Sequence, residues 1–226
     1  MIKFVSARYE GDVYDTFLGP CVEGKYPIAN VFEGNSIFEK YNKGVKQLDI
    51  QDNDIVVFAH ADIKILDPEF EDKVLFIFDQ LPKLGLAGVI GAVELHETCG
   101  WWLSDQRLHR GHIIQWVDDN EQNKYHMMRA KGNFNNISVL DGLCMMARGS
   151  VAKQIPFDEV SFPNSYDFYD YDYSLSVKEA GYTVGVFDIL IEHRSAGEGV
   201  KKSEWQQNRI KFMNKWLNKG YTFPLR

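Results

Sequence analysis

Short apolar runs alternate with longer stretches of helical period along this chain, a pattern that predicts strands joined by helical crossovers and a largely parallel sheet. The first strand is expected at residues 2–6. A second apolar run, 28–32, meets a turn at Glu33-Gly34-Asn35, after which Ile37, Phe38, Tyr41 and Val45 recur at helical spacing. Asp52-Asn53-Asp54 then breaks the chain before 55–59, a β-branched run typical of a buried parallel strand, and His60-Ala61-Asp62 stands at its end. Ligands of open α/β sheets bind beyond the carboxyl ends of strands, which makes these polar residues candidates for a site.

Pro68 opens a helical stretch to about residue 84, and 87–93 reads as the next strand. Residues 118–138 are polar with little periodicity, an excursion that is either a lid or a solvated insertion. A strand at 139–147 is interrupted by Asp141-Gly142, a helix at 173–180 is closed by Gly181, and 184–191 is the last strand. A final helix, 204–217, carries Trp205, Phe212 and Trp216 on one face.

With 226 residues, 45% of them apolar, the chain can bury a full core, and its length fits one domain spanning 1–226. No run of eighteen apolar residues and no leader-like opening is present, so the expectation is a cytoplasmic protein without a membrane span. Cys21, Cys99 and Cys144 are far apart and form no CxxC pair, which argues against a thiolate zinc site or a redox couple. The net charge of −7, without a long basic block, argues against nucleic acid as partner. An acidic protein that binds an anionic ligand needs local positive charge, which a divalent cation can supply.

Three clusters carry candidate chemistry. In an extended segment His60 and Asp62 share one side and can ligate one metal; the plain alternative is an edge histidine followed by a helix cap. Asp167, Asp170 and Asp172 alternate with aromatics before the expected helix; Asp172 suits the helix start, which leaves Asp170 as candidate general base. His193 follows the last strand and is either a ligand for a manganese-like ion or a structural imidazole. Beyond it, Arg194, Lys201 and Lys202 can close on a diphosphate or belong to an ordinary solvated loop. Trp101 and Trp102 point opposite ways if extended, one toward the core and the other toward a sugar.

In this order, Asn35, Asn42-Lys43-Gly44, His60-Ala61-Asp62, Asp141-Gly142, Tyr169-Asp170-Tyr171-Asp172 with Gly181-Tyr182, His193, Phe212 and Lys215-Trp216 resemble the GT-A glycosyltransferases of family 2. The stretch from Val56 to Asp62 is similar, more narrowly, to a glycosyltransferase-like group of nucleotide-sugar-binding proteins. The resemblance spans most of the chain and implies an α/β GT-A (nucleotide-diphospho-sugar transferase) fold, with a mostly parallel central sheet flanked by helices. It implies that Asp62 matches the metal-binding acid of a DxD motif, His60 standing where that motif usually begins with Asp. It makes His193 the late metal ligand and Asp170 the base of an "ED" motif whose Glu is replaced by Tyr169. Ser6, Ala7, Arg8 and Asn35 match the nucleoside pocket. Trp101, Trp102, Asp141, Gly142, Tyr169 and Asp172 are the candidates for contact with donor or acceptor sugar. The implied activity is Mn²⁺- or Mg²⁺-dependent transfer from a nucleotide-sugar, UDP by family analogy, to an acceptor hydroxyl. The rivals are a nucleotide-sugar-binding protein that transfers nothing and a metal-dependent hydrolase or nucleotidyltransferase.

Overall fold

A computed structural model describes residues 1–118, 120–194 and 203–224. The first part of the chain forms β1 (Ile2–Ala7), α1 (Gly19–Val22), β2 (Ile28–Val31), α2 (Ile37–Gln47), β3 (Ile55–Ala59) and β4 (Ile63–Ile65). Strand β1 lies parallel between β2 and β3, and all five residues of β3 are buried, as the β-branched run requires. Ser36 starts α2: its Oγ accepts from the Glu39 N–H at 3.1 Å, while Glu39 accepts from the Asn35 N–H at 2.8 Å. This reciprocal pair satisfies donors that the first helical turn leaves free. Further along α2, a Cβ on Gly44 would fall 2.1 Å from Val5 Cγ1, so glycine lets the helix lie directly on β1.

The middle of the chain adds α3 (Phe70–Gln80), β5 (Leu84–Gly88), β6 (Ile90–Ala92), β7 (His109–Trp116), β8 (Lys124–Met128), β9 (Phe134–Asn135), β10 (Val139–Leu140) and β11 (Cys144–Arg148). It ends with α4 (Gly149–Gln154), α5 (Tyr169–Glu179), β12 (Thr183–Val186), β13 (Ile191–His193) and α6 (Ser203–Asn218). The strands make two sheets. The larger has the order β2-β1-β3-β11-β5-β12-β9, in which β11 and β9 run against the direction shared by the rest. The smaller has the order β10-β6-β7-β13-β4, with β8 paired to β7, and is antiparallel except between β7 and β13.

Several expected strands are each two strands, because the chain leaves one sheet for the other within the run. β5 gives way to β6 at Val89, and β10 to β11 across Asp141-Gly142-Leu143. β12 and β13 divide the run expected at 184–191, and β3 passes to β4 through His60-Ala61-Asp62. The polar excursion at 118–138 contains β8 and β9, the first closing a hairpin with β7.

The helix expected from residue 173 begins at Tyr169. Phe168 enters it with φ of 65°, a left-handed conformation that costs a bulky residue about 1–2 kcal/mol. Packing offsets that cost: Phe168 is buried against Trp205 and Phe212 of α6, with ring centroids 5.1 and 5.3 Å away. No helix among the described residues is long and apolar enough to cross a membrane.

Candidate functional site

The passages between the sheets bring the candidate residues together. His60 and Asp62 lie on the passage out of β3, and His193 closes β13, which pairs antiparallel with β4, so His193 sits opposite Ile63. His60 Nδ1 is 3.4 Å from His193 Nε2 and 3.7 Å from Asp62 Oδ1, and the last two atoms are 3.6 Å apart. Atoms so spaced lie about 2.1 Å from their common centre, the length of bonds to small divalent ions. Two neutral imidazoles and a carboxylate are a chemically sound donor set for such an ion. Burial pushes the His60 pKa down, only partly opposed by Asp62, which favours the neutral, ligating ring.

Each imidazole is also held from behind. His60 Nε2 is hydrogen-bonded to the Tyr169 hydroxyl, so the two departures from the resembled motif touch each other. Burial raises the Tyr169 pKa well above that of an ordinary phenol, so it stays neutral. A Cβ on Gly142 would fall 2.0 Å from that hydroxyl, so Tyr169 reaches His60 only because residue 142 has no side chain. His193 Nδ1 is 3.1 Å from Gln115 Oε1 on the neighbouring β7.

Asp170 lies beside this group. Its Oδ2 accepts from the Gly142 N–H at 3.0 Å and its Oδ1 from the Tyr171 N–H at 2.9 Å. Burial, and then the charge of Asp141, hold its pKa well above the usual carboxylate range. Asp141 accepts from the Trp101 indole N–H at 3.1 Å and from the Leu143 N–H at 3.1 Å. Trp101 and Trp102 form a short 3₁₀ turn, not an extended pair; Trp101 is buried, and Trp102 is 42% exposed and edge-on to it.

Asp172 requires a correction. Inside α5 it points away from Asp170, toward α6, where it accepts from the Trp216 indole at 2.9 Å and from Lys215 Nζ at 2.8 Å. It is buried and anchors that helix, so neither sugar can reach it.

Of the residues assigned to the nucleoside pocket, Ser6 is fully buried, which seals it from a ligand. Arg8 is bound at 2.6 and 2.8 Å to both carboxylate oxygens of Asp12, and its guanidinium lies 3.7 Å above the Tyr14 ring. That arginine pins the carboxyl end of β1, the edge assigned to the nucleoside. Ala7 is half-buried, Asn35 is exposed, and the exposed Tyr9 and Phe32 rings flank this edge. The Arg194 N–H donates to the Asp62 carbonyl at 3.0 Å, which ties the two strands beside the triad. Its guanidinium lies 5.7 Å from the Phe17 ring centroid and 5.8 Å from that of Trp116. Lys201 and Lys202 lie outside the described residues.

Gln115 and Asp12 were not singled out by the sequence. A glutamine within 109–116 carries no motif, and Asp12 gives only its spacing of four from Arg8 as a signal.

The α/β fold, a large central sheet flanked by helices, is that of the GT-A class of nucleotide-diphospho-sugar transferases. The chain belongs to the glycosyltransferase like family, which it matches over residues 18–219. Among solved structures it is similar to A197 from STIV, with a TM-score of 0.50 and 8% identity over 85% of this chain and 84% of that one. At that identity the likeness speaks for the fold alone. A weaker likeness is to CMP:2-keto-3-deoxy-manno-octonic acid synthetase complexed with CTP, at 13% identity over 95% of this chain and 99% of that one. Its TM-score of 0.36 carries no argument. No curated protein matches the chain in sequence.

Proposed function

We propose that this protein transfers a sugar from a nucleoside-diphosphate sugar, with UDP as the expected carrier, to an acceptor hydroxyl, with a divalent ion held by His60, Asp62 and His193. The observation that carries the reading is the convergence of three donor atoms within 3.7 Å of one another, beside the Asp141–Asp170 pair. A bound divalent ion would stabilise the negative charge that develops on the departing diphosphate. A mixed nitrogen and oxygen donor set suits Mn²⁺ better than Mg²⁺, which prefers oxygen alone.

Asp170 would take the acceptor proton as the acceptor oxygen bonds to the anomeric carbon and the carbon–phosphate-oxygen bond breaks, the electron pair leaving with the diphosphate. Its raised pKa makes it a stronger base than an exposed carboxylate. Trp102, exposed beside the tryptophan that orients Asp141, would offer a flat face to a sugar ring. The nucleoside would lie across the ends of β1 and β2, where Tyr9 and Phe32 are exposed. Arg194 is the described cation next in sequence to the triad and the candidate for contact with the diphosphate.

Thermal unfolding with a panel of nucleotide-sugars tests this reading, because a ligand that binds only the native state raises its melting temperature. The expected result is a rise with a UDP-sugar and Mn²⁺ that EDTA abolishes. Equal rises with and without EDTA would remove the ion from the account.

A further inference from the structure

The two imidazoles of the triad are oriented by different groups, each of which engages one ring nitrogen and leaves the other facing inward. Gln115 Nε2 donates to the carbonyls of Trp116 at 3.1 Å and His193 at 3.4 Å. An amide turned the other way would set its oxygen against those two carbonyl oxygens, so Oε1 is the atom that meets His193 Nδ1. An amide oxygen only accepts; Nδ1 therefore carries the proton, and Nε2 presents a lone pair to the triad. On the other side the Tyr169 hydroxyl occupies His60 Nε2, which leaves Nδ1 as the nitrogen that faces Asp62 and His193. The phenol is wedged edge-on against Phe38 and Tyr41, with ring centroids 6.3 and 5.7 Å away, and passes over Gly142, so its hydroxyl has little room to move.

We infer that Gln115 and Tyr169 are positioning residues that hold the two imidazoles with His193 Nε2 and His60 Nδ1 turned toward Asp62, and that Gly142 is glycine to admit the phenol. The inference rests on the metal-binding reading above. Both groups are uncharged oxygens, where metal-bound histidines often lean on a carboxylate. The triad then keeps the single negative charge of Asp62, and the ion it binds retains more of its positive charge for an anionic ligand.

The test is divalent-cation binding by the purified full chain without any sugar, using Co²⁺ followed by calorimetry and by its visible absorption, which reports nitrogen ligation. Tyr169→Phe and Gln115→Leu should each weaken Co²⁺ binding by about 10–100-fold, the usual cost of losing such a partner. Both should alter the cobalt spectrum while unfolding without metal near the wild-type temperature. Gly142→Ala, which keeps the phenol but displaces its hydroxyl, should reproduce the Tyr169→Phe spectrum. Mg²⁺ binding should suffer less than Co²⁺ binding in Tyr169→Phe, because imidazole matters less to magnesium. If Asp62→Ala abolishes Co²⁺ binding while Tyr169→Phe and Gln115→Leu keep wild-type affinity and spectrum, the positioning roles are wrong and the metal site stands. If the wild-type chain binds no Co²⁺ or Mn²⁺, both readings fall.

Discussion

Asp170 is asked to be a base in a place that disfavours its charge. Burial and Asp141 raise its folded pKa above the unfolded value of about 3.9. The stability this contributes is full below the unfolded pKa and is lost as pH rises through the folded one. Asp170→Asn removes that titration, so the variant should melt above wild type at neutral pH, with the difference shrinking in acid; melting curves across that range check the sign. The same variant cannot accept a proton, so transfer should fall at least about a hundredfold while nucleotide affinity stays within a few-fold. A kinetic assay beside a titration of UDP with Mn²⁺ separates the two effects. The wild-type rate should also fall on acidification with a midpoint above the ordinary carboxylate range. At this scale the sequence was most legible where chemistry is local: His60 and Asp62 announce themselves at a strand end, whereas Tyr169 meets His60 across 109 positions that no spacing rule connects. Asp172 was expected at the start of a helix from 173 and lies inside one that begins at Tyr169. In a helix, residues two apart point about 200° apart, so Asp170 and Asp172 cannot share a face.

The elements themselves were legible where period and breakers agree, as in β1, α2 and β3. They were not legible where the chain changes sheets. Residues 87–93, 139–147 and 184–191 are apolar on both sides of each passage, so hydrophobicity gives no sign that the pairing partner changes. Yet those passages hold the candidate site residues: Asp141 and Gly142 lie on one, and His60 to Asp62 on another. Helix α6 depends on one buried carboxylate, since Asp172 binds Lys215 and Trp216 together. Asp172→Ala should destabilise the fold by about 3 kcal/mol, at the lower end for a broken buried pair because Lys215 keeps Asp158 at 2.8 Å. Urea denaturation measures that loss. Unchanged Mn²⁺ affinity in the same variant would separate its structural role from the site; an unaltered midpoint with lost transfer would return Asp172 to the substrate.

Over the whole molecule, a chain of net charge −7 must attract a ligand that is itself an anion. A surface hollow of about 440 Å³ beside Tyr26 and Asp67 includes Glu69, Glu71 and Asp72 and offers such a ligand no welcome. Another, about 390 Å³, lies at the opposite ends of the strands, and its Arg148 is spent on the carbonyls of Phe78, Leu81 and Leu84. At the His-Asp-His group, by contrast, a bound cation would invert the local charge. On this account, Mn²⁺ supports nucleotide binding at lower concentration than Mg²⁺, because two of three protein ligands are imidazoles; titrating each ion against a fixed nucleotide checks the order. The most direct measurement is calorimetric titration of UDP into the wild-type protein and into Asp62→Ala, each with Mn²⁺ and with EDTA. The account predicts tight binding only to wild type with Mn²⁺, and weak binding in the other three cases. Equal affinity in all four would contradict it.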